Sequence, residues 1–349
     1  MAWSKRSKNW GEERETGEGA EWIHSTSIDQ ALDNVRKAWK EKGLYAENGD
    51  WEVIQLAHIA VMRGLTRRVT PWIVRLLEKR EADGKLKWFL EDRVVGAVGI
   101  SMVRLFAAHV EDPTIPVNKA RADVALFLRS IEGLDDLKSV HDLMPMILST
   151  RLDDPSATPP PSKRSGRLPL RTDMEASGMC PAAHRQWRVE YLLAHGAEEE
   201  ALELAHKGRS EKPCGETCAF APHSMYAWLL EPLHRRGRKD EARVLHDRLE
   251  TLMVARVLYL NAMGHRIHYL TLEGRYDEAF DLMRLMLPMA QQPDASPWQV
   301  KKFHEGCERA FHVVHSVHPR ELKPVQDLLE ESARTLQALR HQFENRPVD

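Results

Sequence analysis

Three short stretches decide the reading of this chain: HGAEEEAL at residues 195–202, RGRKDEAR at 236–243 and EGRYDEAF at 273–280. Each holds a glycine five residues before an alanine, as Gly196/Ala201, Gly237/Ala242 and Gly274/Ala279, and the glycines stand 41 and 37 residues apart. A glycine adopts positive φ at little cost and so ends one helix, while an alanine lets the next helix press closely against it. Self-similarity at such a period is the mark of stacked helical hairpins. The helix before the second turn has a fitting apolar face in Met225, Tyr226, Leu229 and Leu233.

Outward from this core the chain continues to read as helix. SPWQVKKFHEGCERAFHVVHSVH (296–318) and KPVQDLLEESARTLQALRHQF (323–343) predict two further helices, a last hairpin or end cap. Toward the N-terminus, SIDQALDNVRKAWKEKG (27–43) places Ile28, Leu32, Val35 and Trp39 on one face behind a Ser27 cap. DWEVIQLAHIAVMRG (50–64) repeats that logic, and TPWIVRLLEKREADG (70–84) predicts a helix capped by Thr70 with Pro71 at its first position. Helices are also expected near 86–109, 116–131 and 134–149. Strand signals are nearly absent, so the fold class is all-α. Residues 151–172, RLDDPSATPPPSKRSGRLPLRT, lack an apolar period and read as a linker. The expected organisation is a polar segment over 1–25, an all-helical domain over 26–150, that linker, and a helical-repeat domain over 173–349.

These residues resemble the tetratricopeptide repeat, in which a helix, a glycine turn and a second helix with a small residue recur. The three glycine–alanine pairs carry the resemblance, with Tyr276 in the third turn and Pro213 closing the first repeat. It covers about residues 180–290. The chain departs from the pattern at Val189, Leu230 and Ile267, where the family has a small residue in the first helix, and Pro232 should kink the middle first helix. The resemblance implies an α-solenoid whose first helices line a groove for a protein or peptide. Gln186, Glu190, Glu231, Arg235, Asn261 and His268 are the positions it turns toward that groove.

Four cysteines are present among 349 residues. Stacked hairpins would bring the starts of successive first helices together, which places Cys180 near His223 and near the insertion that holds Cys214 and Cys218. Three thiolates and an imidazole suit tetrahedral zinc in a closed, structural site. His184 is the alternative fourth ligand. A pair of cysteines spaced C-x3-C is also compatible with one small buried residue and one plain thiol.

The balance of charge, −2 overall with 29% charged and 42% apolar residues, fits a globular chain without bias toward nucleic acid. The basic run His234–Lys239 is compact enough to serve a helix C-terminus rather than a phosphate backbone. No apolar run approaches the roughly 18 residues of a membrane span. The charged N-terminus lacks a signal-peptide core, which sets the expectation of a cytoplasmic protein. Phosphate-loop, nucleophile-elbow and dinucleotide signatures are missing, and HEGCE at 304–308 has Glu308 where a second histidine would complete a zinc motif. The expected function is therefore a non-catalytic scaffold or adaptor that binds a protein or peptide. A metal-dependent enzyme or sensor built on the histidines of the C-terminal half is the alternative.

Overall fold

The computed structural model describes residues 65–84, 95–133, 137–152, 181–207, 223–252, 259–317 and 325–349, together with Leu86 and scattered positions between 30 and 61. Twelve helices are bounded within these residues, and no strand occurs among them. In chain order they are α1 (Thr66–Ala82), α2 (Val95–Val110), α3 (Val117–Ser130), α4 (Lys138–Leu152), α5 (Pro181–Ala194) and α6 (Glu198–Lys207). They continue with α7 (His223–Arg235), α8 (Lys239–Leu252), α9 (Leu260–Leu272), α10 (Tyr276–Ala290), α11 (Pro297–Val317) and α12 (Gln326–Glu344). The chain is all-α over the described residues, and no helix there is long and apolar enough to cross a membrane.

The second half is built from pairs. Helices α5 and α6, α7 and α8, α9 and α10, and α11 and α12 each pack as neighbours, while α5, α7, α9 and α11 pack against one another in that order. Burial separates the two sets. Every residue from His223 to Leu230 of α7 is buried, because α5, α8 and α9 all press on it. Outer helix α8 instead buries one stripe, Ala242, Leu245 and Leu249, and leaves Arg243, Val244 and Asp247 exposed.

The three turns share one geometry. Gly196, Gly237 and Gly274 have φ of 72°, 72° and 74°. In each, the amide of the residue after glycine donates to a carbonyl five residues back: Ala197 to Leu192, Arg238 to Leu233 and Arg275 to Leu270, at 2.8–2.9 Å. This closure satisfies carbonyls that a helix end leaves orphaned. Five residues after each glycine, Ala201, Ala242 and Ala279 are wholly buried.

Another glycine pair sets the tightest contact. A Cβ on Gly306 of α11 would stand 2.3–2.5 Å from the backbone of Gly264 in α9, and one on Gly264 would stand 2.9 Å from the backbone at Lys302 and Phe303. The two helix backbones meet directly there, a closeness that only the absence of both side chains permits.

The first half has a core of its own, with Ile73, Leu77, Phe106, Phe127 and Leu143 among its buried residues. Phe106 and Phe127 stack at 4.6 Å between centroids. Helix α4 packs on both α2 and α5 and joins the halves. Residues 346–349 return to α2 and α3. Val117 and Asn118, in the first turn of α3, donate their amides to the carbonyls of Pro347 and Val348 at 2.9 Å. Arg346 donates to the carbonyls of Val110 and Ile115 at 2.7 and 2.8 Å.

Two details differ from expectation. Helix α1 starts at Thr66, five residues early, and the Thr70 hydroxyl donates to the Thr66 carbonyl at 2.8 Å instead of capping. Helix α4 extends to Leu152, so Arg151 is helical rather than the first residue of a linker. The helix expected over 27–43 and the rest of the linker lie outside the described residues, apart from isolated helical positions such as Gln30 and Asp33.

Candidate functional site

Arg151, in the last turn of α4, is the centre of a deeply buried charge cluster. Its side chain is 4% exposed. Its Nε donates to Glu111 Oε1 at 2.8 Å and its Nη2 to Glu190 Oε2 at 3.0 Å. The guanidinium lies 3.6 Å from the ring centroid of Trp298 and 5.5 Å from that of Trp187. Burial opposes the arginine's charge, but Glu190 and Glu111 outweigh it and hold its pKa above the ordinary value. Glu111 moves upward because burial exceeds the pull of Arg151 and of the Ser296 hydroxyl, which donates to Glu111 Oε2 at 2.5 Å. Ser296 also accepts the Gln299 amide and so starts α11.

This cluster forms one wall of a cavity of about 60 Å³, room for roughly four water-sized molecules. Five side-chain atoms around it are buried and have no protein partner: Arg151 Nη1, Gln186 Oε1, Trp228 Nε1, Asn261 Oδ1 and Gln299 Oε1. They come from α4, α5, α7, α9 and α11, one from each helix. Two arginines (104 and 151) and two glutamates (111 and 190) line the cavity, so its formal charges cancel.

The groove positions expected from sequence divide into three groups. Gln186, Glu190 and Asn261 line the cavity. Glu231 and His268 sit farther along α7 and α9, with His268 Nδ1 at 3.2 Å from Glu231 Oε2 and the Arg309 Nε at 3.3 Å from the same nitrogen. The hydrogen bond to His268 holds the Glu231 carboxyl down to about 2. Burial, helped by Arg309, pushes His265 beside them down to about 3. Arg235 lies outside both groups, exposed and paired with Glu198 of α6. The residues that complete the cavity, Arg151, Glu111, Trp228, Trp298 and Gln299, carry no local signal that marks them. A tryptophan or a mid-helix arginine announces nothing about partners 40 or more positions away.

Four members of the basic run that starts at His234 face carboxylates. Arg235 and Arg236 pair with Glu198 and Glu199, Arg238 pairs with Glu241 at 2.6 Å, and His234 lies 3.0 Å from Glu273. Those acids lie on neighbouring helices, or one turn away in the case of Glu241. The run therefore ties one hairpin to the next.

For a metal, the described residues bring together one group, His246, Asp247 and Glu250, whose ligand atoms lie within 4.8 Å of one another. His246 is fully buried, and its Nε2 accepts the Arg266 Nε at 3.2 Å while Arg275 stands 3.5 Å from its Nδ1. A cation there would compete with two guanidinium groups. Of the expected zinc ligands, Cys180, Cys214 and Cys218 lie outside the described residues. His223 is buried at the start of α7, its Nδ1 without a protein partner, and both ring nitrogens of buried His184 are likewise unpartnered. Cys307 is buried and burial pushes its thiol up to about 12, which keeps it protonated and unreactive. His304 on the same helix donates to, or accepts from, the Ser332 hydroxyl at 2.7 Å.

No family model, curated protein or solved structure matches this chain.

Proposed function

We propose that this chain is a non-catalytic binding module, a tetratricopeptide-like α-solenoid serving as scaffold or adaptor, whose inner helices receive a segment of a partner protein. One observation carries the reading: five helices each bring a residue with a buried, unpartnered polar atom to the lining of a single cavity. Each such atom costs about 1–3 kcal/mol when left without a hydrogen bond. Five together rival the roughly 5–15 kcal/mol that a whole domain has in hand. A cavity with room for about four water-sized molecules beside such groups suits a hydrated or polar guest. The polar side chains of Glu231, His268 and Arg309 lie farther along the same helices and add polar groups beyond the cavity. A cytoplasmic setting belongs to the same proposal.

The test is selection from a displayed peptide library on the full chain, followed by fluorescence polarisation of the enriched sequences. Enriched peptides should bind the native protein and lose most of their affinity for Asn261→Leu. A library that yields no enriched sequence sinks the reading.

Zinc at the joint before α7 is a separate part of the proposal, with Cys180, Cys214, Cys218 and His223 as ligands. Its support among the described residues is the buried, unpartnered Nδ1 of His223. Elemental analysis of the native chain and of Cys214→Ser decides it. One zinc per chain, lost on substitution with a lower melting temperature, is the expected result. A native chain free of zinc refutes the clasp and leaves the binding reading untouched.

A further inference from the structure

We infer that α2 covers the face of the inner helices from within the same chain, and that residues 346–349 are the latch that holds this cover down, so that a guest reaches the cavity only when the latch lets go. This rests on the binding-module reading above and adds the regulation of that same site.

A groove open to solvent exposes the polar side chains that face it. Here Gln186, Glu190, Ser224 and Asn261, from α5, α7 and α9, are all buried. The cavity they line is completed by Arg104, Ala107 and Ala108 of α2 and by Glu111 directly after it. Helix α2 therefore lies over the inner helices at this place. A guest that is to touch Gln186 or Asn261 must first displace it.

The end of α2 is fastened from two sides. Toward the cavity, Glu111 accepts the Arg151 Nε at 2.8 Å and the Ser296 hydroxyl. Toward solvent, the chain returns after α12. Arg346 donates to the carbonyl of Val110, the last residue of α2, at 2.7 Å and to that of Ile115 at 2.8 Å. It thus grips the chain on both sides of Glu111. The carbonyls of Pro347 and Val348 accept the amides of Val117 and Asn118 at 2.9 Å, and Asn118 Nδ2 donates to the Asp349 carboxylate. The Val110 carbonyl and the two α3 amides are groups that a helix end leaves without partners, and water can serve them in place of the latch. Pro347, Val348 and Asp349 are themselves exposed. The latch can therefore leave without uncovering a core, and its departure frees the turn that carries Glu111.

The indole N–H of Trp228, buried in the cavity lining, reports the closure. Its exchange with deuterium is followed by NMR in ¹⁵N-labelled full-length protein, after through-bond assignment, for the native chain, Arg346→Ala and Asn118→Asp. The first variant removes the grip on both carbonyls. The second sets a carboxylate against Asp349 at an exposed position in the first turn of α3, where an acidic residue suits the helix, so it decides the matter should the first not fold. Each variant should speed the Trp228 indole exchange about tenfold, while the backbone amides of α9 around Gly264 keep their native protection. Unchanged indole exchange overturns the inference. So does equal acceleration at both places, which would show a strap that only adds stability. Peptides enriched on the native chain should bind Arg346→Ala about tenfold more tightly, in step with the larger open fraction. Equal affinity for the two proteins overturns the regulation and leaves the module intact. An empty selection removes the module, and this inference with it.

Discussion

The inner helices are held together in two opposite ways. Where α9 crosses α11, Gly264 and Gly306 have no side chains and the backbones touch. Where α4 meets α5 and the start of α11, Arg151 is gripped by Glu111, Glu190 and two indole rings. The first contact has no freedom: dispersion and shape do the work, and nothing is left over to bind with. The second is made of charges that pair with one another, at the wall of a cavity. One contact is backbone against backbone, and the other leaves polar groups beside a cavity.

The strongest way to break the comparison is at the glycine crossing. Gly306→Val would force side-chain carbon into the Gly264 backbone, and the loss should reach about 4 kcal/mol or prevent folding altogether. Urea denaturation measures it; a loss below about 1 kcal/mol would show that the helices can part at little cost.

Arg151→Met should cost somewhat less, about 3–4 kcal/mol, because it strands two buried carboxylates. Adding Glu111→Gln and Glu190→Gln to that variant should recover a good part of the loss. No recovery would mean that the indole packing, not the charge, holds α4 to α5.

A smaller effect follows from His304, buried and held at about 4 against an ordinary 6.5 by desolvation. A histidine whose folded pKa is depressed contributes stability that is fully present above the unfolded value and lost as pH falls below it. The free energy of unfolding should therefore decline as pH drops from 6.5 toward 4. His304→Gln, which keeps a partner for Ser332, should remove about 1–2 kcal/mol of that decline. Buried His265 shares the direction of shift, so a remainder is expected.

The least effect belongs to Arg340, paired with Glu308 at 2.7 and 3.0 Å on the surface. Arg340→Ala should change stability by less than about 1 kcal/mol and less still in high salt.

The repeat helices, their turns and the small residues behind them are legible along the chain. Gly196, Gly237 and Gly274 take the positive φ that their spacing predicts, and the alanines that follow are buried, because a helix end and a close helix pair are local demands met by local residue types. Gln186, Glu190 and Asn261, which the resemblance turns toward a groove, line the cavity. Which polar groups converge depends on the folded arrangement of the helices. Arg151 reads as the first residue of a linker until Glu111, 40 positions earlier, and Trp298, far later, are seen beside it. Gly264 and Gly306 read as unremarkable mid-helix glycines until the helices cross. The burial of a charge, or the need for a missing side chain, depends on partners that the chain brings together only when folded, and no periodicity along the sequence encodes their identity.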